Sequence, residues 1–162
     1  MNEVSLRHLR RSIEVAHAAR NHGNHPFGAI LVGADGKVLA EAENSVVTGR
    51  DPTAHAELNL VRIASAQYDR EALANSTLFS STEPCAMCAG AIFWSGIGKV
   101  VFALSEEGLY TMTGSELAQE AMKIPSREIF ARCGRRVEVE GPALEEEAKG
   151  PHIGFWDRPD RP

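Results

Sequence analysis

Apolar residues recur along the first twenty positions at steps of three and four. Leu6, Leu9, Ile13 and Ala16 make one stripe, and Arg7, Arg10, Arg11 and Glu14 fall off it. This spacing predicts a helix over 3–22 with Gly23 as its stop. The period then changes. Phe27 to Val32 is a continuous apolar run, Asp35-Gly36 is a type I′ turn signal and 37–43 alternates weakly, which together predict a β-hairpin. The polar stretch 44–52 reads as loop. Asp51-Pro52-Thr53 then punctuates a helix start: either Thr53 caps it, or Asp51 caps it with Pro52 at the first helical position. That helix covers 54–66 and carries His55 and Glu57 in its first turn.

After a polar connection over 69–76, Thr77 to Ser81 predicts a short strand, ended by Glu83-Pro84. Residues 85–95, CAMCAGAIFWS, contain no charge and predict a helix buried on nearly every side. Lys99 to Leu104 is a β-rich run. Patterning weakens over 105–125, where Gly114-Ser115-Glu116 opens a short helix. Another short helix follows Pro125-Ser126 to 132, Arg135 to Glu140 reads as an edge strand, and 143–149 as a charged helix. Helix, hairpin, helix, strand, helix, strand is the order of an α/β protein whose central sheet is covered by helices.

The length, 162 residues, suits one domain. We place it at 1–149, followed by a tail over 150–162 that is rich in Pro and Gly yet holds Ile153, Phe155 and Trp156. A net charge of −5 argues against a nucleic-acid partner, because phosphate binding relies on clustered Lys and Arg. Arg127, Arg132, Arg135 and Arg136 read as a solvated helix end. Two of the three cysteines sit in C-x-x-C, which is metal or redox chemistry in a reducing compartment and not a disulfide framework. The N-terminus lacks the apolar core of a secretory signal and no run reaches transmembrane length, so the expected location is the cytoplasm, away from membranes.

The chemistry concentrates in two short stretches, His55-Ala56-Glu57 and Pro84-Cys85-Ala86-Met87-Cys88. One imidazole and two thiolates make three protein ligands for a tetrahedral Zn²⁺ and leave its fourth position to a water. A carboxylate two residues after the histidine can move protons beside the metal. Cys85 and Cys88 share a face near a helix start, where the dipole favours thiolates. His17, His22 and His25 read instead as helix-end residues, since no carboxylate or thiol accompanies them at ligand spacing. A non-catalytic zinc module would need a fourth protein ligand, and Cys133 is the only spare thiol.

On these residues the chain resembles the cytidine deaminase superfamily, in the branch of guanine deaminases, fungal-type cytosine deaminases and tRNA adenosine deaminases. The matching segments are PFGAILV at 26–32, Asn44, DPTAHAE at 51–57 and EPCAMCAGAIFWSGIGKVVF at 83–102. The resemblance implies a three-layer α/β/α fold with a central five-stranded mixed sheet. It implies zinc held by His55, Cys85 and Cys88, with Glu57 as the proton shuttle. It implies a substrate pocket drawing on Asn44, Phe27, Trp94 and the backbone around Ala56. Asn44 is equally a turn asparagine and Trp94 equally a core residue on their types alone. Relatives also use a second acid beyond the zinc motif, for which Glu106, Glu107 and Glu116 are candidates, and close C-terminal aromatics over the substrate, here Phe155 or Trp156. The expected activity is deamination of a small free amino-heterocycle such as guanine, isoguanine, cytosine or an aminotriazine. A tRNA adenosine deaminase is the alternative, but the acidic tail disfavours it. Family analogy implies a homodimer.

Overall fold

The structure, a computed structural model, describes residues 1–114, 119 and 121–157. Helix α1 (Glu3–Asn21) opens the chain, capped by Asn2, whose Oδ1 accepts the Ser5 N–H at 2.9 Å. Strands β1 (Gly28–Val32) and β2 (Val38–Glu43) form the hairpin. There follow α2 (Val46–Gly49), α3 (Ala56–Gln67), α4 (Arg70–Ala74), β3 (Thr77–Thr82), α5 (Ala86–Ser95) and β4 (Lys99–Leu104). The chain continues through α6 (Glu106–Thr113), α7 (Ser126–Ala131), β5 (Glu138–Glu140), α8 (Glu145–Lys149) and a 3-10 turn at Gly150–His152.

Among the described residues the strands make one sheet in the order β2-β1-β3-β4-β5. β1 is antiparallel to both β2 and β3, while β3, β4 and β5 run parallel, so the sheet is mixed. Period-two alternation assigns side chains to layers. Ala29, Leu31, Leu78 and Val100 face α3, α5 and α7 in one apolar cluster. Ile30, Val32, Phe79, Val101 and Ala103 face α1, α6 and α8 in the other. β1 is buried on both faces, which is why it reads as an unbroken apolar run. Where α1 crosses β1 only Gly28 fits: a side-chain carbon there would collide with the Ala16 nitrogen and the Ser12 carbonyl. This is the three-layer α/β/α fold with a five-stranded mixed sheet.

Several local expectations need correction. The hairpin connection is not a two-residue type I′ turn. Gly36 N–H donates to Gly33 O at 2.9 Å, Gly33 N–H donates to Lys37 O at 2.9 Å, and only Gly36 takes a positive φ. The five-residue loop therefore needs one left-handed residue, not two. The stretches 44–52 and 69–76 each hold a short helix, too brief for hydrophobic periodicity to register. β5 spans three residues, not six. Helix α5 is not buried on nearly every side: Cys88, Ala89 and Ile92 pack inward, and Trp94 is 80 % exposed. α5 packs on the sheet, α3 and α7, and Trp94 stands out from it as its one exposed residue. The helix expected at Gly114-Ser115-Glu116 lies outside the described residues from Ser115 on.

Candidate active site

The two chemistry-bearing stretches become neighbours because β3 ends beside the start of α3. His55 is the N-cap of α3 and Cys85 the N-cap of α5, both with extended backbone, so each side chain projects past its helix end. Glu57 is the second residue of α3 and Cys88 the third of α5. Asp51 does not cap α3. Its Oδ1 instead accepts the Thr53 N–H at 2.8 Å and the Thr53 hydroxyl at 2.7 Å, an Asx turn that sets the approach to His55. Asn59 ties this approach to the hairpin: its amide nitrogen donates to Glu43 O at 3.0 Å and Ser45 Oγ at 2.9 Å.

The donor atoms of His55, Cys85 and Cys88 all lie within 4.8 Å of one another. His55 Nδ1 is 3.6 Å from the Cys85 sulfur and 3.7 Å from the Cys88 sulfur. Zinc–sulfur bonds of about 2.3 Å and zinc–nitrogen bonds of about 2.0–2.1 Å at a tetrahedral angle give a sulfur–nitrogen edge of about 3.6 Å. The observed separations are those edges, so the residues present fit a zinc ion and form its site. A hydrogen bond from Cys88, reinforced by His55, holds the Cys85 thiol down to about 4. The same bond, with burial and nearby negative charge, pushes the Cys88 thiol up. The pair thus carries one shared proton that a cation must displace.

Glu57 is 5 % exposed, and burial, then the Cys85 charge, raises its pKa. Its Oε1 accepts the Ser80 hydroxyl at 2.8 Å. Ala56 is buried between the two functional residues. Asn44 is buried at the end of β2: its N–H donates to Phe27 O at 3.0 Å, and its Oδ1 accepts the Val46 N–H at 3.0 Å. A donor on Oδ1 fixes which end of the amide is oxygen, and leaves the NH₂ group as the part free to meet a ligand.

The tail turns back onto its own chain. Arg20 donates to Pro151 O at 2.7 Å and Ile153 O at 2.8 Å, with its guanidinium 5.8 Å from the Phe155 ring centre. Phe155 is 3 % exposed. The Trp156 ring lies 4.8 Å from Phe155 and 6.2 Å from Phe27, and the His152 ring 5.2 Å from Phe27. Trp94 instead contacts Phe93 and is exposed.

Of the candidate second acids, Glu106 is buried and accepts the Tyr110 hydroxyl at 2.7 Å, Glu107 is exposed, and Glu116 lies outside the described residues. Burial raises the Glu106 pKa, against the Tyr110 hydrogen bond. Glu106 lines a cavity of about 510 Å³ with Glu83, Ser105, Tyr110 and Lys123, and the walls of this cavity hold none of the three metal donors. Glu83 braces it, accepting the Ser126 N–H at 2.9 Å and hydroxyl at 2.8 Å. Ser80, Glu83, Asn59 and Arg20 were not singled out from the sequence. For Ser80 a signal existed: three hydroxyl residues, Ser80-Ser81-Thr82, follow the apolar pair Leu78-Phe79 in one strand.

Comparison with known proteins agrees with this geometry. Residues 2–104 match the cytidine and deoxycytidylate deaminase zinc-binding region. A probable cytosine deaminase of Schizosaccharomyces pombe is 44 % identical over 157 residues, covering 97 % of this chain and 95 % of that one. A tRNA-specific adenosine deaminase of Haemophilus influenzae is 38 % identical over 105 residues, 65 % of this chain and 61 % of that one. Among solved structures, a guanine deaminase from Nitrosomonas europaea superposes with a TM-score of 0.75 at 25 % identity, over 90 % of this chain and 81 % of that one. The chain belongs to the family of zinc-dependent cytidine and deoxycytidylate deaminases.

Proposed function

We propose that this protein hydrolytically deaminates a small free amino-heterocycle, a base such as guanine, isoguanine or cytosine or an aminotriazine analogue, and releases ammonia. The observation that carries this reading is the three-donor tetrahedral site with Glu57 buried beside it. A zinc ion there supplies Lewis acidity that makes water a nucleophile near neutral pH. The rest falls to the chain. Glu57 accepts the first proton the water gives up and passes it to a ring nitrogen as the C–O bond forms. It then takes the second from the hydroxyl now on the ring carbon and gives it to the amine, which leaves as ammonia when the C–N bond breaks, since an amine leaves poorly unless protonated. A carboxyl group with a raised pKa suits a residue that must both take and give a proton. The Asn44 amide NH₂ holds an acceptor on the ring, Phe27 supplies an apolar wall, and the backbone at Ala56 borders the ring.

A small substrate is supported by the tail, which we read as a segment distinct from the domain at 1–149. His152 and Trp156 pack against Phe27, with Phe155 against Trp156, a crowding that suits a small base better than a folded nucleic acid. Identity to the probable cytosine deaminase, 44 %, exceeds identity to the tRNA-specific enzyme, 38 %. The open, uncharged face of α5 with Trp94 supports a homodimer through that face, where Trp94 gains cover. No described helix is long and apolar enough to cross a membrane.

The test is ammonia release from guanine, isoguanine, cytosine, aminotriazines, the matching nucleosides and a tRNA anticodon stem-loop. Turnover of at least one free base, with none of the stem-loop, is the expected result. Inosine formed in the stem-loop without turnover of any free base overturns the reading.

A further inference from the structure

Strand β3 reads TLFSST and is buried along nearly its whole length. A hydroxyl in such a place is costly unless bonded. Ser80 is 1 % exposed, lies at the centre of the sheet and pairs with Ala29 on one side and Phe102 on the other. It shares a strand face with Leu78, the face turned toward α3 and α5. An aliphatic residue would continue that face, as Leu78 does. The chain instead places a hydroxyl opposite the second residue of α3, where it donates to Glu57 Oε1 at 2.8 Å.

We infer that Ser80 is the positioning residue for Glu57, engaging Oε1 from the strand so that the carboxylate holds one orientation. Glutamate has three side-chain torsions, and a proton carrier that wanders among rotamers spends little time in the productive one. Ser80 removes that freedom from a rigid base. Its backbone is held in the central strand by ladder bonds on both sides, and its side chain is a single short torsion. The hydroxyl also supplies a donor to a carboxylate that burial strips of water. The Ser80 hydroxyl donates to Glu57 and not to a metal donor. It acts through Glu57, and its role rests on the deaminase reading of the site.

The experiment compares wild type, Ser80→Ala and Ser80→Thr in three measurements: zinc per chain, kcat and KM for ammonia release from cytosine and guanine, and a high-resolution crystal structure of each zinc-loaded protein. Ser80→Ala is expected to keep one zinc per chain, to leave KM within about three-fold, and to lower kcat by about 10- to 100-fold, the loss of one hydrogen bond to a charged group. Its Glu57 carboxylate is expected to leave the single orientation seen in wild type. Ser80→Thr, which keeps the hydroxyl, restores kcat and the orientation. Wild-type kcat in Ser80→Ala, an unmoved Glu57, or loss of zinc overturns the inference, the last because Ser80 would then be structural. If Ser80→Ala does not fold, a Ser80→Thr protein with wild-type zinc content but a displaced Glu57 and low kcat overturns it, and one that matches wild type supports it. If wild type releases ammonia from neither base, these substrates fail, and the orientation of Glu57 in the crystals still decides for or against Ser80.

Discussion

The metal site is a matter of three atoms and one proton. The hydrogen bond between the two sulfurs lowers the Cys85 thiol and raises the Cys88 thiol, so the pair resists losing its second proton. Zinc needs both as thiolates. Binding therefore releases the Cys88 proton, and affinity must rise as pH rises. Zinc titrations against a competing chelator between pH 6 and pH 8 should show this as tighter binding at the higher pH, with acid released in weakly buffered solution. Cys85→Ala removes one of three ligands and the partner that orders the other two. We expect it to lose zinc and to unfold at lower denaturant concentration than wild type, measured by metal analysis and by circular dichroism in urea.

At the scale of the element, the tail packs against Phe27, a proposed wall of the pocket. Phe155 is buried, and Arg20 holds two tail carbonyls. Deleting residues 150–162 should raise KM for a free base more than it lowers zinc content, because the tail covers Phe27 and not the metal donors. Unchanged KM and kcat would show that the tail is no lid. His152 gives the same segment a pH signature. Burial, then Arg20, lowers its pKa from 6.5 to about 4. A histidine whose folded pKa is depressed stabilises the fold above the unfolded pKa and loses that contribution as pH falls. Stability should thus decline between about pH 6.5 and about pH 4, by at most about 3 kcal/mol from this residue. Urea unfolding at pH 7.5 and pH 5 should show a smaller drop for His152→Gln than for wild type.

The elements that carry periodicity were legible from residue order. The α1 stripe, the apolar run of β1 and the strand–turn–helix at Pro84 each match the structure within a residue or two. The metal donors were legible because their spacing encodes chemistry that few other arrangements serve. What stayed hidden depends on contacts between distant residues. Ser80 meets Glu57 across 23 positions, and Arg20 meets the tail across more than 130. No local pattern records such pairings. The open face of α5 was misread for a related reason: an uncharged helix says that its surface avoids water, not whether its own chain or another one covers it.

For the whole molecule, the exposed Trp94 is where the proposed homodimer is tested. The proposed homodimer places the uncharged face of α5, with Trp94, between subunits. Trp94→Asp should convert a dimer into a monomer in analytical ultracentrifugation while leaving the circular dichroism spectrum unchanged. A wild type that sediments as a monomer would remove the dimer from the account. The central claim, hydrolytic deamination with Glu57 as the proton carrier, is tested most directly by measuring bound zinc and ammonia release together in wild type and Glu57→Gln. The account predicts about one zinc per chain in both proteins, with ammonia released by wild type and release by Glu57→Gln lower by at least about 100-fold. Equal ammonia release from two equally zinc-loaded proteins would contradict it.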